Sequence, residues 1–124
     1  MGDASEITLG DGGQVLVPSG QSVILQDIIW NSAGPDGPVA RFRFVAPAIS
    51  RVKGTVDADQ VTKDLLHLCE TVVLEKLSQK GPLPPNVLVS MADRAVNFGE
   101  TIPEATQYFE SYRIEGNLCI SELF

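Results

Sequence analysis

The chain has 124 residues, 44% of them hydrophobic and 20% charged, which is the composition of a folded protein with one hydrophobic core and of neither a disordered nor a two-domain chain. Nine basic against sixteen acidic side chains give a formal charge of −7, which repels phosphate backbones and anionic lipid, so neither nucleic acid nor a membrane surface is an expected partner. The longest apolar runs, such as Val72 to Leu74 and Val87 to Val89, fall far short of the roughly 20 residues of a spanning helix, and no membrane span is expected. The start, Met1-Gly2-Asp3-Ala4-Ser5-Glu6, has neither the basic nor the apolar region of a secretory signal.

In chain order, Ile7 to Leu9 and Gln14 to Val17 are short β-prone pieces around Gly10-Asp11-Gly12-Gly13, and they predict a hairpin or a frayed, flexible stretch over about residues 1–13. The glycines invite comparison with a phosphate loop, but a strand-like Gln14-Val15-Leu16-Val17 follows in place of a helix with a Lys-Ser/Thr pair, so a plain turn is expected. Ser22 to Trp30 reads as a strand ending at the breaker cluster Asn31 to Pro38. Val39 to Ala46 alternates, with Phe42 and Phe44 on one face and Arg41 and Arg43 on the other, as a half-buried strand does; Pro47 closes it. The two arginines suit carboxylate or phosphate recognition, against the plainer expectation of a solvated sheet face.

Asp57 or Asp59 caps one amphipathic helix over about 58–79, with Val61, Leu65, Leu68, Cys69, Val72 and Val73 on its apolar stripe and Lys80-Gly81-Pro82 as its stop. Asn86 to Ala92 reads as a strand, Asp93 to Gly99 as irregular, and Thr101 to Glu104 as one short helical turn. Gln107 to Ile114 and Leu118 to Leu123 form a hairpin about Glu115-Gly116-Asn117. The fold class is therefore α+β: one helix packed on a mainly antiparallel sheet of five to seven strands, in a single domain spanning 1–124.

His67, the one histidine, falls opposite the apolar stripe and two residues from Cys69. Residues at that spacing do not face each other on a helix, so the pair makes no nucleophile and base. No C-x-x-C or H-x-x-x-H spacing seeds a metal site. Cys69 lies on the core side of the helix and Cys119 in the last strand, so they meet if that strand packs beneath the helix. Against a bridge, alternation puts Cys119 out of phase with Leu118 and Ile120, which leaves a disulfide and two reduced cysteines both open. Tyr108, Phe109 and Tyr112 cluster on one strand, as sheet packing or as the lining of a ligand groove.

The stretches Ala40-Arg41-Phe42-Arg43-Phe44-Val45-Ala46-Pro47, His67-Leu68-Cys69-Glu70 and Pro103 through Ile120 resemble an uncharacterised family of small alphaproteobacterial proteins, a domain of unknown function. The resemblance implies one domain carrying both Cys69 and Cys119, and export behind an N-terminal signal that this chain does not show; it carries over no catalytic residue. Three functions are compatible with the sequence. The first is a non-enzymatic binding or protein-interaction module for an unknown protein or small molecule, periplasmic or secreted, with a cytoplasmic location as the alternative. The second is a small enzyme or enzyme accessory subunit with a charged site formed by Arg41, Arg43, Asp93, Arg94 and Glu100. The third is a homo-oligomeric unit, such as a homodimer joined through an exposed strand, Tyr108 to Ile114. No catalytic residue, cofactor or metal ligand is expected.

Overall fold

The computed structural model describes residues 6–32, 39–52, 54–81 and 84–122. It is an α+β fold: a single long helix, α1 (58–80), lies on one face of a seven-stranded, mostly antiparallel sheet. Strands β3 (Val23–Ser32) and β4 (Val39–Val45) pair antiparallel, while β5 (Asn86–Ala92), β6 (Gln107–Glu115) and β7 (Leu118–Ser121) extend the sheet by antiparallel steps. The exception is β4 beside β5, which are parallel. Parallel neighbours need a long crossover, and α1 supplies it between these two strands.

The N-terminal pieces β1 (Glu6–Leu9) and β2 (Gln14–Val15) both pair with β3, end to end along its edge. A hairpin is formed, but between β2 and β3 and not between the two pieces. Gly10 joins them because its backbone N–H donates to Gln26 O at 2.9 Å, so close that a Cβ there would sit 1.8 Å from Leu25 O. Of the stretch expected to be flexible, residues 6–9 are therefore a paired strand, and residues 1–5 lie outside those described. Most of the breaker cluster, residues 33–38, lies outside them too.

Strand β3 changes phase in mid-run. Val23 and Leu25 face the helix side, then Ile28 and Trp30 do, because the register shifts between Leu25 and Asp27 and leaves Gln26 as the extra residue of a bulge. The shift carries Asp27 to the opposite face, across from Arg43.

The helix opens on a capping box: the Asp57 side chain accepts from the Gln60 backbone while the Gln60 side chain accepts from the Asp57 N–H. Its middle is not regular. Between Ala58–Leu68 and Leu74–Lys80 runs a π turn, Cys69–Val73, whose extra residue advances the buried stripe by one position. Val73 is consequently fully buried, and Val72, expected beside it on the core stripe, is only half-buried. Under the helix, Phe42, Phe44, Val89 and Met91 meet Val61, Leu65 and Leu68, all at most 2% exposed. Burial of each such side chain stabilises the fold by roughly 1.5–3 kcal/mol relative to exposure. A buried carboxylate, Asp64, anchors the β2–β3 loop to the helix by accepting from Ser19 N at 3.0 Å, Ser19 Oγ at 2.5 Å and Gln21 Nε2 at 2.7 Å.

The β6–β7 connection is the expected tight hairpin, with Glu115 opposite Leu118 and Gly116 at φ 62°, a first central position that glycine fills without strain. Cys69 and Cys119 form a disulfide with Cα atoms 6.3 Å apart, which ties the π turn to the edge strand. The phase objection to this bridge took Leu118 and Ile120 for core residues. They lie on the outer face, where Leu118 is 56% exposed, and Cys119 is the β7 residue buried under the helix. Among the described residues, no helix is long and apolar enough to cross a membrane.

Candidate functional site

Among the described residues, no second layer of secondary structure covers the face of the sheet away from the helix. Across β3, β4, β5 and β6 it presents Asp27, Arg41, Arg43, Ser90 and Phe109, which alternation points away from the core. What covers it in part is the irregular segment 93–106. The bulge residue Gln26 holds that segment: its Nε2 donates to Val96 O at 2.8 Å and its Oε1 accepts from Val96 N at 3.4 Å. Beyond Val96 the chain turns, with Glu100 N donating to Asn97 O at 3.0 Å and Gly99 at φ +91°, a conformation that favours glycine. The turn places the Phe98 ring 5.8 Å from the Arg41 guanidinium carbon and 5.5 Å from that of Arg43, within cation–π range.

Between the segment and the sheet lies a groove of about 290 Å³, whose lining includes Gln26, Arg41, Arg43, Ser90, Phe98 and Phe109, with Glu100, Thr101 and Gln107 also contributing. Its two arginines are not equivalent. Arg43 is held by Asp27 in a bidentate pair, Nε to Oδ1 and Nη2 to Oδ2 both at 2.7 Å, with the side chains 13% and 8% exposed. Arg41 has no ion pair among the described residues, and its buried Nε has no hydrogen-bond partner. Burial, and secondarily the positive charge of Arg43, push the Arg41 pKa below the ordinary arginine value. Arginine stays charged in proteins, so the shift measures how poorly that charge is solvated.

Of the five residues expected to form a charged site, the groove therefore brings together Arg41, Arg43 and Glu100. Both arginines are half-buried, so the expectation of a fully solvated face gives way to one roofed by residues 95–101. Asp93 and Arg94 are not on the lining. Asp93 N donates to Thr106 O at 3.0 Å, and Arg94 binds the Asp93 carboxylate through Nε at 3.0 Å and Nη2 at 3.2 Å while reaching Glu104 O at 3.3 Å. The Arg94 hydrogen bond holds the Asp93 carboxyl below the usual carboxylate range, against the opposing effect of burial. The pair cross-braces the two ends of the segment that roofs the groove. Thr101 to Glu104, expected as a helical turn, is an ordinary turn closed by Ala105 N donating to Ile102 O.

Gln26 and Phe98 on the lining, and Asp27, which holds Arg43, were not singled out by sequence reasoning. A signal was present for Gln26 and Asp27: the apolar phase of β3 flips from Val23 and Leu25 to Ile28 and Trp30, which marks a bulge. Nothing local marks Phe98, which reaches the arginines only through the path of an irregular loop.

Elsewhere, His67 is half-buried at the margin of the helix stripe. Among the described residues, no three His, Cys, Asp or Glu side chains group closely enough to hold a metal ion. Strand β6, the expected dimer strand, is bonded to β5 along its length and to β7 from Tyr112 to Glu115, so only Gln107 to Glu110 keep an edge that pairs with no described strand. A second cavity, about 310 Å³ between the helix and the β1–β2 edge, is floored by Leu25, Ile28 and Val72.

Together these features define a small α+β domain with an arginine- and phenylalanine-lined groove on its open sheet face. The chain belongs to DUF6497, a family of unknown function whose family model matches residues 3–124. Neither a search of curated proteins nor one of solved structures found a match.

Proposed function

We propose that the protein is a non-enzymatic binding module that takes its ligand in the outer-face groove and works in an oxidising compartment outside the cytoplasm. The carrying observation is Arg41: a half-buried guanidinium on the wall of a groove, with a buried Nε that finds no hydrogen-bond partner among the described residues. Leaving such a donor unpaired costs roughly 1–3 kcal/mol, so an unpaired polar group of this kind calls for a specific cause, and the proposed reading supplies one in a site kept for a ligand. Among the described residues the lining offers one carboxylate, Glu100, and no histidine, cysteine or lysine. That is a poor set for acid–base or nucleophilic chemistry and a sufficient one for recognition. The Cys69–Cys119 disulfide supports the compartment, since such bridges persist mainly in exported proteins.

The test is amide NMR of the oxidised full chain against a library of small organic acids, amines and neutral fragments. Shifts clustered on the amides of Arg41, Ser90, Phe98 and Phe109 are expected; hits confined to other surfaces would remove the reading. Alkylation of the protein trapped at lysis from its native host checks the compartment: two free thiols there would contradict export.

A second reading, a homodimer joined along the free edge at Gln107 to Glu110, is favoured by Phe109, which is 57% exposed on that short stretch. A sedimentation mass that stays monomeric as concentration rises would exclude it.

A further inference from the structure

We infer that the groove accepts a small organic carboxylate with a single negative charge and an apolar, flat body, its carboxylate on the Arg41 guanidinium and its body against Phe98 and Phe109. The inference rests on the binding-module reading and adds the ligand's chemistry.

The charges around the groove select the anion. Asp27 already satisfies Arg43 through two hydrogen bonds. The Glu100 carboxylate accepts from Asn97 Nδ2 at 3.1 Å. What remains is the fork of the Arg41 guanidinium, which lines the groove and makes no ion pair among the described residues. A planar carboxylate matches such a fork with two parallel hydrogen bonds. A phosphate dianion meets the same fork less favourably, because Glu100 stands on the lining, Asp27 lies one strand away and the whole chain carries −7.

The shape selects the body. About 290 Å³ lies at the lower end of small-molecule sites, enough for a single ring or a short branched chain and too little for a nucleotide. The Arg41 guanidinium carbon stands 5.8 Å from the Phe98 ring centroid, and a guanidinium carries five N–H donors, so a cation–π contact with Phe98 and hydrogen bonds to a ligand do not compete for the whole group. Phe109, more than half exposed, provides apolar surface that a ligand ring would cover.

Phenylacetate, its neutral counterpart phenylacetamide and inorganic phosphate, each titrated into the oxidised full chain and followed by amide NMR, test this directly. Phenylacetate is expected to shift the groove amides, phenylacetamide to bind more than about tenfold more weakly, as the loss of a charge-assisted pair implies, and phosphate to leave the groove unshifted. Arg41→Met, checked for an otherwise native spectrum, is expected to lose phenylacetate by the same factor. Equal binding of the acid and the amide, or full binding by Arg41→Met, overturns the carboxylate inference and leaves the binding module standing. Phosphate binding on a par with phenylacetate overturns the single-charge part. If neither these probes nor the fragment library touch the groove, both readings fall. Should Arg41→Met not fold, the acid–amide comparison on the native chain decides alone.

Discussion

The two faces of the sheet follow different rules. On the inner face Phe42, Phe44, Val89 and Met91 are closed off by the helix, and the disulfide pins that helix to the edge strand. On the outer face the same strands carry the Asp27–Arg43 pair, an unpartnered Arg41 and exposed Phe109 and Leu118, roofed only by an irregular segment. The contrast separates what holds the protein together from what it presents. Inner-face changes should act on stability, and outer-face changes on binding with little effect on stability.

The largest effect should come from Phe42→Ala, at the centre of the inner face, which is expected to lower unfolding free energy by about 3–5 kcal/mol in urea denaturation. Its outer-face counterpart Phe109→Ala should lose less than about 1 kcal/mol. Equal losses would break the comparison. Next, replacing Cys69 and Cys119 by Ala removes a link across 50 residues of sequence, a loss of about 4 kcal/mol by loop-closure entropy, read as a lower Tm under oxidising conditions. Smaller again is Asp27→Asn, which breaks the outer-face ion pair and is expected to cost about 2 kcal/mol, because it leaves Arg43 half-buried without its anionic partner.

How much of this was legible differs between the faces for a physical reason. Period-two alternation exposed β4 and its two faces, and helical spacing with a cap and a Lys-Gly-Pro stop exposed α1, because burial on the inner face imposes a repeat that composition records. The π turn was not visible, since Val72 and Val73 are equally apolar and only the packed helix decides which one is buried. The Cys69–Cys119 bridge was legible as a candidate, but the phase of Cys119 was not, because an exposed Leu118 and a half-buried Ile120 imitate a core phase on a two-sided edge strand. Arg41 and Arg43 were correctly set on the face away from Phe42. Glu100 was grouped with the arginines, but the form of the groove was not legible, because Gln26 and Phe98 join its lining through a bulge and an irregular segment, neither of which obeys a period. Asp93 and Arg94, adjacent in sequence and charged, suggested a site and serve as a brace.

That brace allows a finer separation. The Asp93 carboxyl titrates below its ordinary value of 3.8 in the folded chain, chiefly through its hydrogen bond from Arg94, so near that pH the unfolded chain binds more protons than the folded one. The stabilisation is complete above the unfolded value and is lost as pH falls through the lower folded one. Asp93→Asn should therefore flatten the acid limb of a stability–pH curve below about pH 4 and leave the neutral region shifted by a smaller constant amount. An unchanged acid limb would show that the brace contributes nothing.

The smallest expected effect has the opposite sign and bears most directly on the groove. Arg41 is partly desolvated, stands beside another arginine and has a buried donor without an acceptor among the described residues, set against a single cation–π contact with Phe98, so its charge is expected to contribute little to folding. Methionine keeps most of the apolar stem and removes the unsolvated group, and replacing an uncompensated polar group in this way is neutral or stabilising. Arg41→Met should thus match the wild type or exceed it by up to about 1 kcal/mol in urea denaturation, while the same change at Arg43 strands Asp27 and destabilises. That outcome, on the face that the core does not need, would support the proposed ligand site. If Arg41→Met instead lost as much stability as Asp27→Asn, the guanidinium would be a structural element of the outer face, and the distinction between the two faces would have to be redrawn around it.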